Sequence, residues 1–204
     1  MRVMYVASEA TPFIKSGGLA DVIGSLPKET AKKDVESIVV IPKYQDMKFV
    51  DQIEYVTNFD IYMGWRKRYC GIFKAEVDGV TFYFIDNEQY FGRPGLYGYD
   101  DDYERFAFFD FAVLELISHL NIKPDVLQLN DWQTAMIAML YKERYQPHYR
   151  LLNSKYIDLD MKVKQFDNYI SNLPSKSIVA LEGRCGSGKT TISNILENKY
   201  TVIH

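Results

Sequence analysis

Four stretches of this 204-residue chain carry side chains whose types and spacing could do chemistry. In Lys15-Ser16-Gly17-Gly18-Leu19-Ala20-Asp21-Val22, two adjacent glycines let a ligand approach the backbone, since neither has a Cβ. Free N–H groups and the dipole at the start of a following helix favour a phosphate, and Lys15 adds a mobile positive charge suited to a diphosphate. A plain turn accounts for the same glycine pair. Gly183-Arg184-Cys185-Gly186-Ser187-Gly188-Lys189-Thr190-Thr191 fits G-x-x-x-x-G-K-[ST] in full. In such a loop the backbone around Gly183, Gly186 and Gly188 would cradle phosphates, Lys189 would meet the terminal ones, and Thr190, followed by Thr191, would ligate Mg²⁺. Asp100-Asp101-Asp102 reads as a helix N-terminus, where carboxylates satisfy free N–H groups and favour the dipole. Asn130-Asp131-Trp132-Gln133-Thr134 follows a short apolar run. It is either a polar rim pointing into a ligand crevice or a capped turn anchored by Trp132.

These residues need elements to hold them. Val3–Ala7 is a short apolar run, and Leu19, Val22, Ile23 and Leu26 recur on one helical face, so the first glycine pair sits in a βα turn. Ile38–Ile41 is a continuous β-branched run ended by Pro42, which suits a parallel strand covered on both faces. Tyr69–Val77 and Val80–Ile85 are strand-like and flank Asp78-Gly79, a strong hairpin signal. Arg66, Lys67 and Arg68 are expected to form a solvated sheet edge. Residues 90–103 form a glycine- and tyrosine-rich loop. Phe106, Phe109, Val113, Leu116, Ile117 and Leu120 mark the core stripe of a helix. A strand over 125–129 precedes Asn130, and an apolar helix over 135–142 follows. From about Gln146 the composition shifts: a charged amphipathic helix over 153–173, a turn at Pro174–Ser177, then a new strand Ile178–Glu182 entering the second glycine loop. That strand is expected to borrow the main sheet's edge, because a lone apolar strand is unstable in water.

Bulk properties restrict the classes. With 47% apolar and 25% charged residues the chain reads as a globular protein. A net charge of −3 argues against a general nucleic-acid surface. No apolar run approaches a membrane span and the N-terminus is no signal peptide, so the expected location is cytoplasmic. Cys70 and Cys185 lie far apart in sequence and are expected to be reduced thiols.

The first glycine stretch, preceded by Ser8-Glu9-Ala10-Thr11-Pro12-Phe13, resembles the N-terminal signature of bacterial glycogen synthases and plant starch synthases. Collinear similarity continues through Leu26-Pro27-Lys28, Ile41-Pro42-Lys43-Tyr44, Tyr83–Asn87, Gly95-Leu96-Tyr97-Gly98-Tyr99, Glu104–Ala107 and Pro124-Asp125 to Asn130–Thr134, and ends near Pro147. The resemblance implies an α/β fold, the Rossmann-like doubly wound N-terminal half of a GT-B glycosyltransferase over 1–147. It also implies transfer of glucose from ADP-glucose, or UDP-glucose in some relatives, to the non-reducing end of an α-1,4-glucan. Configuration would be retained, with no metal cofactor.

By motif match, Lys15, Gly17 and Gly18 would face the diphosphate and the transferred glucose, with Asp21 toward the nucleoside. Asp101 matches an acidic position near the sugar, and Asn130, Asp131 and Gln133 fall on a His-Asp-Trp-His-like segment. Asn130 and Gln133 replace histidines of many members; an amide can still bond a sugar hydroxyl, but proton transfer at Gln133 is excluded. Where the family has Gly-His near the end of the first helix, Asp34-Val35 stands here, and an irregular helix end is expected.

Residues 154–204 resemble the N-terminal end of P-loop kinases of the uridine-kinase-like type, and 148–204 is expected as a short αβα appendage able to hold Mg-ATP. The family's second domain is not matched after Pro147, so a truncated form, inactive alone, is expected. Two other readings stay open: an ATP-binding P-loop module carried on a synthase fragment, and a glucan-binding protein using the 90–103 loop without catalysis.

Overall fold

A computed structural model describes residues 1–145 of the chain. The expectations for 148–204, including the helix over 153–173, the strand over 178–182 and the P-loop, lie outside the described residues. The described part is a mixed α/β layer structure around one six-stranded sheet ordered β3-β4-β5-β2-β1-β6. β1 (Arg2–Val6), β2 (Glu36–Pro42), β5 (Val80–Asp86) and β6 (Val126–Leu129) run parallel, while β3 (Glu54–Met63) and β4 (Arg66–Val77) extend the sheet antiparallel from β5.

β1 and β2 are central because their residues can be buried on both faces: Met4 through Val6 and Ile38 through Ile41 are all buried, while β6 forms the edge beside β1. α1 (Gly18–Ala31) returns the chain from β1 to β2, and the short α2 (Glu88–Phe91) and long α3 (Asp102–His119) return it from β5 to β6. Right-handed crossovers that leave the sheet's centre in opposite directions put the two helices on opposite faces. The connections after β1 and β6 therefore diverge at adjacent strand ends, opening a crevice at the carboxyl edge of the sheet.

Local chemistry explains the element ends. Asp78 and Gly79 both take positive φ, 52° and 77°, as a two-residue hairpin turn requires. α1 stops without the expected glycine because Asp34 itself adopts φ 57°, a left-handed conformation its short polar side chain tolerates. Gly24 lets α1 lie against the loop after β1, since a Cβ there would come 2.8 Å from the Thr11 carbonyl oxygen. Thr11 donates its N–H to the Ala20 carbonyl at 3.0 Å, which pins that loop to the helix.

Three expectations need correcting. The Arg66–Arg68 cluster opens β4, an inner strand, and β3 is the edge. These side chains are not merely solvated: Arg66 pairs with Glu104 at 2.7 Å and Lys67 with Asp60 at 2.9 Å. The acids at 101 and 102 do not cap N–H groups of α3; Asp101 chelates Arg93, and Asp102 bonds Arg105 and the Gly98 N–H. The helix expected over 135–142 is shorter: a 3₁₀ turn (Trp132–Thr134) precedes α4 (Met136–Leu140), and a π turn (Tyr141–Tyr145) follows it, with Ile137 and Tyr141 supplying the buried side.

Candidate active site

The loop after β1 is built around a buried carboxylate. Glu9, 3% exposed, accepts hydrogen bonds from the N–H groups of Ser16 and, at 3.2 Å, Gly17. It holds the glycine turn in the shape that presents Gly18 as the first residue of α1. Gly17 is extended (φ −147°, ψ −167°) and carries no side chain over this turn. The Lys15 ammonium reaches forward to both oxygens of Asp21, at 2.8 and 2.7 Å, and both side chains are about half exposed. The sequence-predicted residues of this stretch are thus brought together, with the charge of Lys15 balanced locally and open to solvent.

The loop after β6 is the opposite wall. Asn130 is consumed by the fold: its Nδ2 donates to the Val6 carbonyl at 2.9 Å and its N–H to the same oxygen at 3.1 Å, tying β6 to β1. Asp131 takes φ 66° and ψ 179°, a region nearly confined to glycine, and its carboxylate accepts the Trp132 N–H at 2.8 Å. A non-glycine residue held there costs on the order of 1–3 kcal/mol, so the surrounding turn must over-determine it. Thr134 does so, its buried hydroxyl donating to the carbonyls of Asn130 and Asp131 at 3.1 and 3.2 Å. Gln133 is 4% exposed, and its Oε1 has no hydrogen-bond partner among the described residues.

Tyr97, from the loop before α3, joins the two walls. Its hydroxyl lies 2.7 Å from Ser8 Oγ, and its ring packs on Phe106, which in turn meets Trp132 edge-to-face at 5.2 Å. Burial, with further contributions from the negative charges of Glu9 and Asp131, pushes the Tyr97 phenol up against the opposing hydrogen bond of Ser8. It therefore stays neutral and acts as a hydrogen-bonding clamp. Asp101 stands apart from this group. Arg93 grips it with two bonds, 2.8 and 2.6 Å, which hold its carboxyl below the usual range and keep it ionised.

Behind the site, Arg105 is fully buried. Its Nε donates to the Tyr90 carbonyl at 2.8 Å and its Nη1 to Asp102 at 2.6 Å. Asp110, 1% exposed on the same helix, accepts the Met136 N–H at 3.1 Å and so fixes the start of α4, just past Gln133. Burial lifts its carboxyl to about 8 in spite of that bond. Sequence reasoning missed Glu9, Tyr97, Gly24 and Asp110 as individuals; the pattern Ser8-Glu9 was visible, but not that its carboxylate would hold amides seven and eight residues on.

The starch synthase catalytic domain family model matches residues 2–157. The chain belongs to this family. It is 56% identical over 147 residues to a glycogen synthase of Clostridium botulinum (strain Eklund 17B / Type B), an alignment covering 71% of this chain and 31% of that protein. A glycogen synthase of Lactobacillus acidophilus is 48% identical over 147 residues, with the same coverages. Among solved structures, the catalytic domain of starch synthase IV from Arabidopsis thaliana, bound to ADP and acarbose, superposes with a TM-score of 0.67 at 33% identity, over 71% of this chain and 31% of that one. The chain thus spans about a third of the length of the curated relatives it matches. Within the family frame, the parallel sheet and the crevice at its carboxyl edge are the parts this segment supplies.

Proposed function

We propose that residues 1–145 form one wall of a retaining glucosyltransferase site that takes glucose from ADP-glucose and passes it to the end of an α-1,4-glucan. The observation that carries this is a surface ammonium, Lys15, beside a helix N-terminus, flanking the same crevice as the buried, unpartnered amide oxygen of Gln133. Charge gathers on the departing diphosphate in such a transfer, so positive groups fixed at the phosphates give the main stabilisation. Lys15 would exchange Asp21 for phosphate oxygens, while the amide groups at the start of α1 face the same charge. Glu9 keeps the turn rigid during that exchange. Gln133 has no proton to give at neutral pH; it accepts from a glucose hydroxyl and orients the ring. Asp101, kept ionised by Arg93, is assigned to the sugar by its match to an acidic position of the family, and Asp131 frames the turn.

The reading involves no metal at this site and a cytoplasmic setting; among the described residues no helix is long and apolar enough to cross a membrane. Calorimetric titration of the full chain with ADP-glucose tests it. Binding should weaken at least about tenfold in Lys15→Ala, the scale of losing one charge-assisted contact. Equal affinity in that variant would sink the assignment.

A second reading rests on the fit of residues 183–190 to the phosphate-binding pattern, and on the resemblance of that segment to uridine-kinase-like enzymes. It has the chain bind Mg-ATP there, independently of Lys15. ATP affinity lost in Lys189→Ala and kept in Lys15→Ala would support it; ATP binding indifferent to Lys189 would remove it.

A further inference from the structure

The wall that carries Gln133 is fastened to the fold at both ends, and the two fastenings differ in kind. At its start, Asn130 bonds the Val6 carbonyl through both its N–H and its Nδ2, and Thr134 closes the turn onto itself. Neither an amide nor a hydroxyl of this kind changes charge with pH. At its end, the hold comes from α3. Phe106 and Asp110, one helical turn apart, meet Trp132 and Met136, which are four residues apart on the wall. Phe106 gives a ring contact. Asp110 gives a hydrogen bond, accepting the Met136 N–H on Oδ2 at 3.1 Å.

That second fastening is a carboxyl with nothing to support a charge. Asp110 is 1% exposed, and its Oδ1 is buried with no hydrogen-bond partner among the described residues. The whole run Trp132–Leu140, which lies against it, holds no titratable side chain. On α3 itself the residues one turn away in either direction are apolar, and Arg105 and Glu115 stand five residues off, on other sides of the helix. On the strands packed against α3, the acids and tyrosines of β3 are exposed, the Asp86 carboxylate of β5 is paired with Lys43 at 3.1 Å, and Tyr83 is kept neutral by burial. Burial does the same for the Cys70 thiol of β4 and for Tyr141 after α4. No charged side chain among the described residues contributes to the titration of Asp110; burial raises it against the pull of the Met136 and Ile137 amides.

A carboxyl so placed either keeps its proton or admits water, because an isolated charge in an apolar interior is costly. Where water would enter follows from the packing. α3 is anchored by a long row of buried side chains, whereas α4 buries Ile137 alone and leaves Met139 57% exposed. The element with few apolar contacts is the one that opens locally.

We propose that Asp110 is a positioning residue whose proton sets the crevice wall: neutral, it docks α4 and holds Gln133 in place; ionised, it releases α4 and the turn before it. It touches no substrate and acts through Met136. Its effect on ADP-glucose rests on the glucosyl transfer proposed above; the release of the wall does not.

Trp132 reports that release without any ligand. The chain has two tryptophans, and the other, Trp65, is 88% exposed between β3 and β4. In Trp65→Phe, the emission of Trp132 should pass through a transition centred at about pH 8, toward a more water-exposed spectrum as pH rises. In Trp65→Phe/Asp110→Asn it should stay flat, since the amide keeps the acceptor and does not titrate. No transition in the first protein overturns the proposal, as does the same transition in both. The same samples are titrated with ADP-glucose. One pH unit above the midpoint about a tenth of the chains keep the neutral carboxyl, so affinity should fall by up to about tenfold from its value at neutral pH, and less in the Asn variant. An equal fall in both overturns the link to Gln133. Absence of ADP-glucose binding at every pH strikes the proposed transfer instead, and the fluorescence comparison still decides the release of the wall. Circular dichroism checks that the Asn variant is folded; if it is not, Asp110→Ser, equally unable to titrate, carries the comparison with the same flat profile expected.

Discussion

Lys15 and Arg105 are both engaged with an aspartate a few residues away in sequence, yet the two pairs are built on opposite terms. Lys15 and Asp21 meet in water, each about half exposed, and no other side chain among the described residues hydrogen-bonds or ion-pairs with the lysine. Arg105 and Asp102 meet in the interior, with the guanidinium fully buried, bonded also to a backbone carbonyl and lying over the rings of Phe91, Tyr99 and Phe106. An exposed pair costs little to separate, so its cation is free to change partners. A buried pair has already lost its water, and separating it strands a charge. A basic side chain paired with an aspartate thus serves as an exchangeable contact in one place and as a fixed support for the loop before α3 in the other.

The comparison breaks if the buried pair can be removed cheaply. Arg105→Met should destabilise the chain by about 3–5 kcal/mol, the usual cost of removing one partner of a buried ion pair. Urea denaturation of wild type and variant measures it, and a loss below about 1 kcal/mol would show that Arg105 is not the support described. Lys15→Met, by contrast, should leave the denaturation midpoint nearly unmoved.

Asp110 sharpens the point, since it is a buried acid without a basic partner among the described residues. Its carboxyl, raised to about 8 by burial, binds a proton in the folded chain at pH values where the unfolded chain has released it. Stability should therefore fall as pH rises from about 4 to about 8, by up to about 1.4 kcal/mol per pH unit from this group, and level off above that. Asp110→Asn keeps the acceptor for the Met136 N–H and removes the titration. Its stability should be flatter across that window and should exceed that of wild type at pH 8 and above. Parallel slopes for the two proteins would refute the assignment.

How far these features could be read in advance depends on the range of the interaction. The strand, glycine loop and helix over 3–26 followed from local periodicity, and Asp78-Gly79 named its own hairpin. β3 was not assigned, because Phe59 and Ile61 alternate inward while Tyr55 and Tyr62 put large apolar rings outward, blurring the period of two. Arg105 sat outside the helical stripe because a periodicity count takes arginine as solvent-facing; only packing between the 90–103 loop and α3 buries it. Asp101 was expected at a helix start and is there, but its partner is Arg93 on the preceding loop rather than the helix backbone. Of the site, Lys15, Gly17, Gly18 and Asp21 were legible as a motif, whereas the role of Glu9 depends on a turn that only the folded loop defines.

The turn at Asp131 offers a smaller effect of the opposite sign. Glycine occupies φ 66°, ψ 179° without the penalty borne by other residues, so Asp131→Gly should release on the order of 1–3 kcal/mol of strain. The greater freedom of glycine in the unfolded chain returns roughly 0.5–1 kcal/mol of that, and the bond to the Trp132 N–H is lost. A net gain of about 1 kcal/mol is expected in thermal denaturation. A loss would mean that the carboxylate bond outweighs the strain, and that Asp131 belongs with the supporting residues rather than the poised ones.

The smallest effect bears most directly on the exposed pair. Asp21→Asn removes the charge that competes with phosphate for Lys15 and leaves a side chain of the same shape. Stability should change by less than about 1 kcal/mol, as for other exposed ion pairs. If Asp21 acts only on Lys15, the energy of the pair is returned to the ligand, and 0.2–1 kcal/mol corresponds to a rise in ADP affinity of up to about fivefold. The rise should shrink in high salt, because an exposed pair is screened and has less to return. Weaker ADP binding in the variant would instead put the Asp21 carboxylate on the ligand itself, toward the nucleoside, and Lys15 would then be held ready by a residue that also makes a contact of its own.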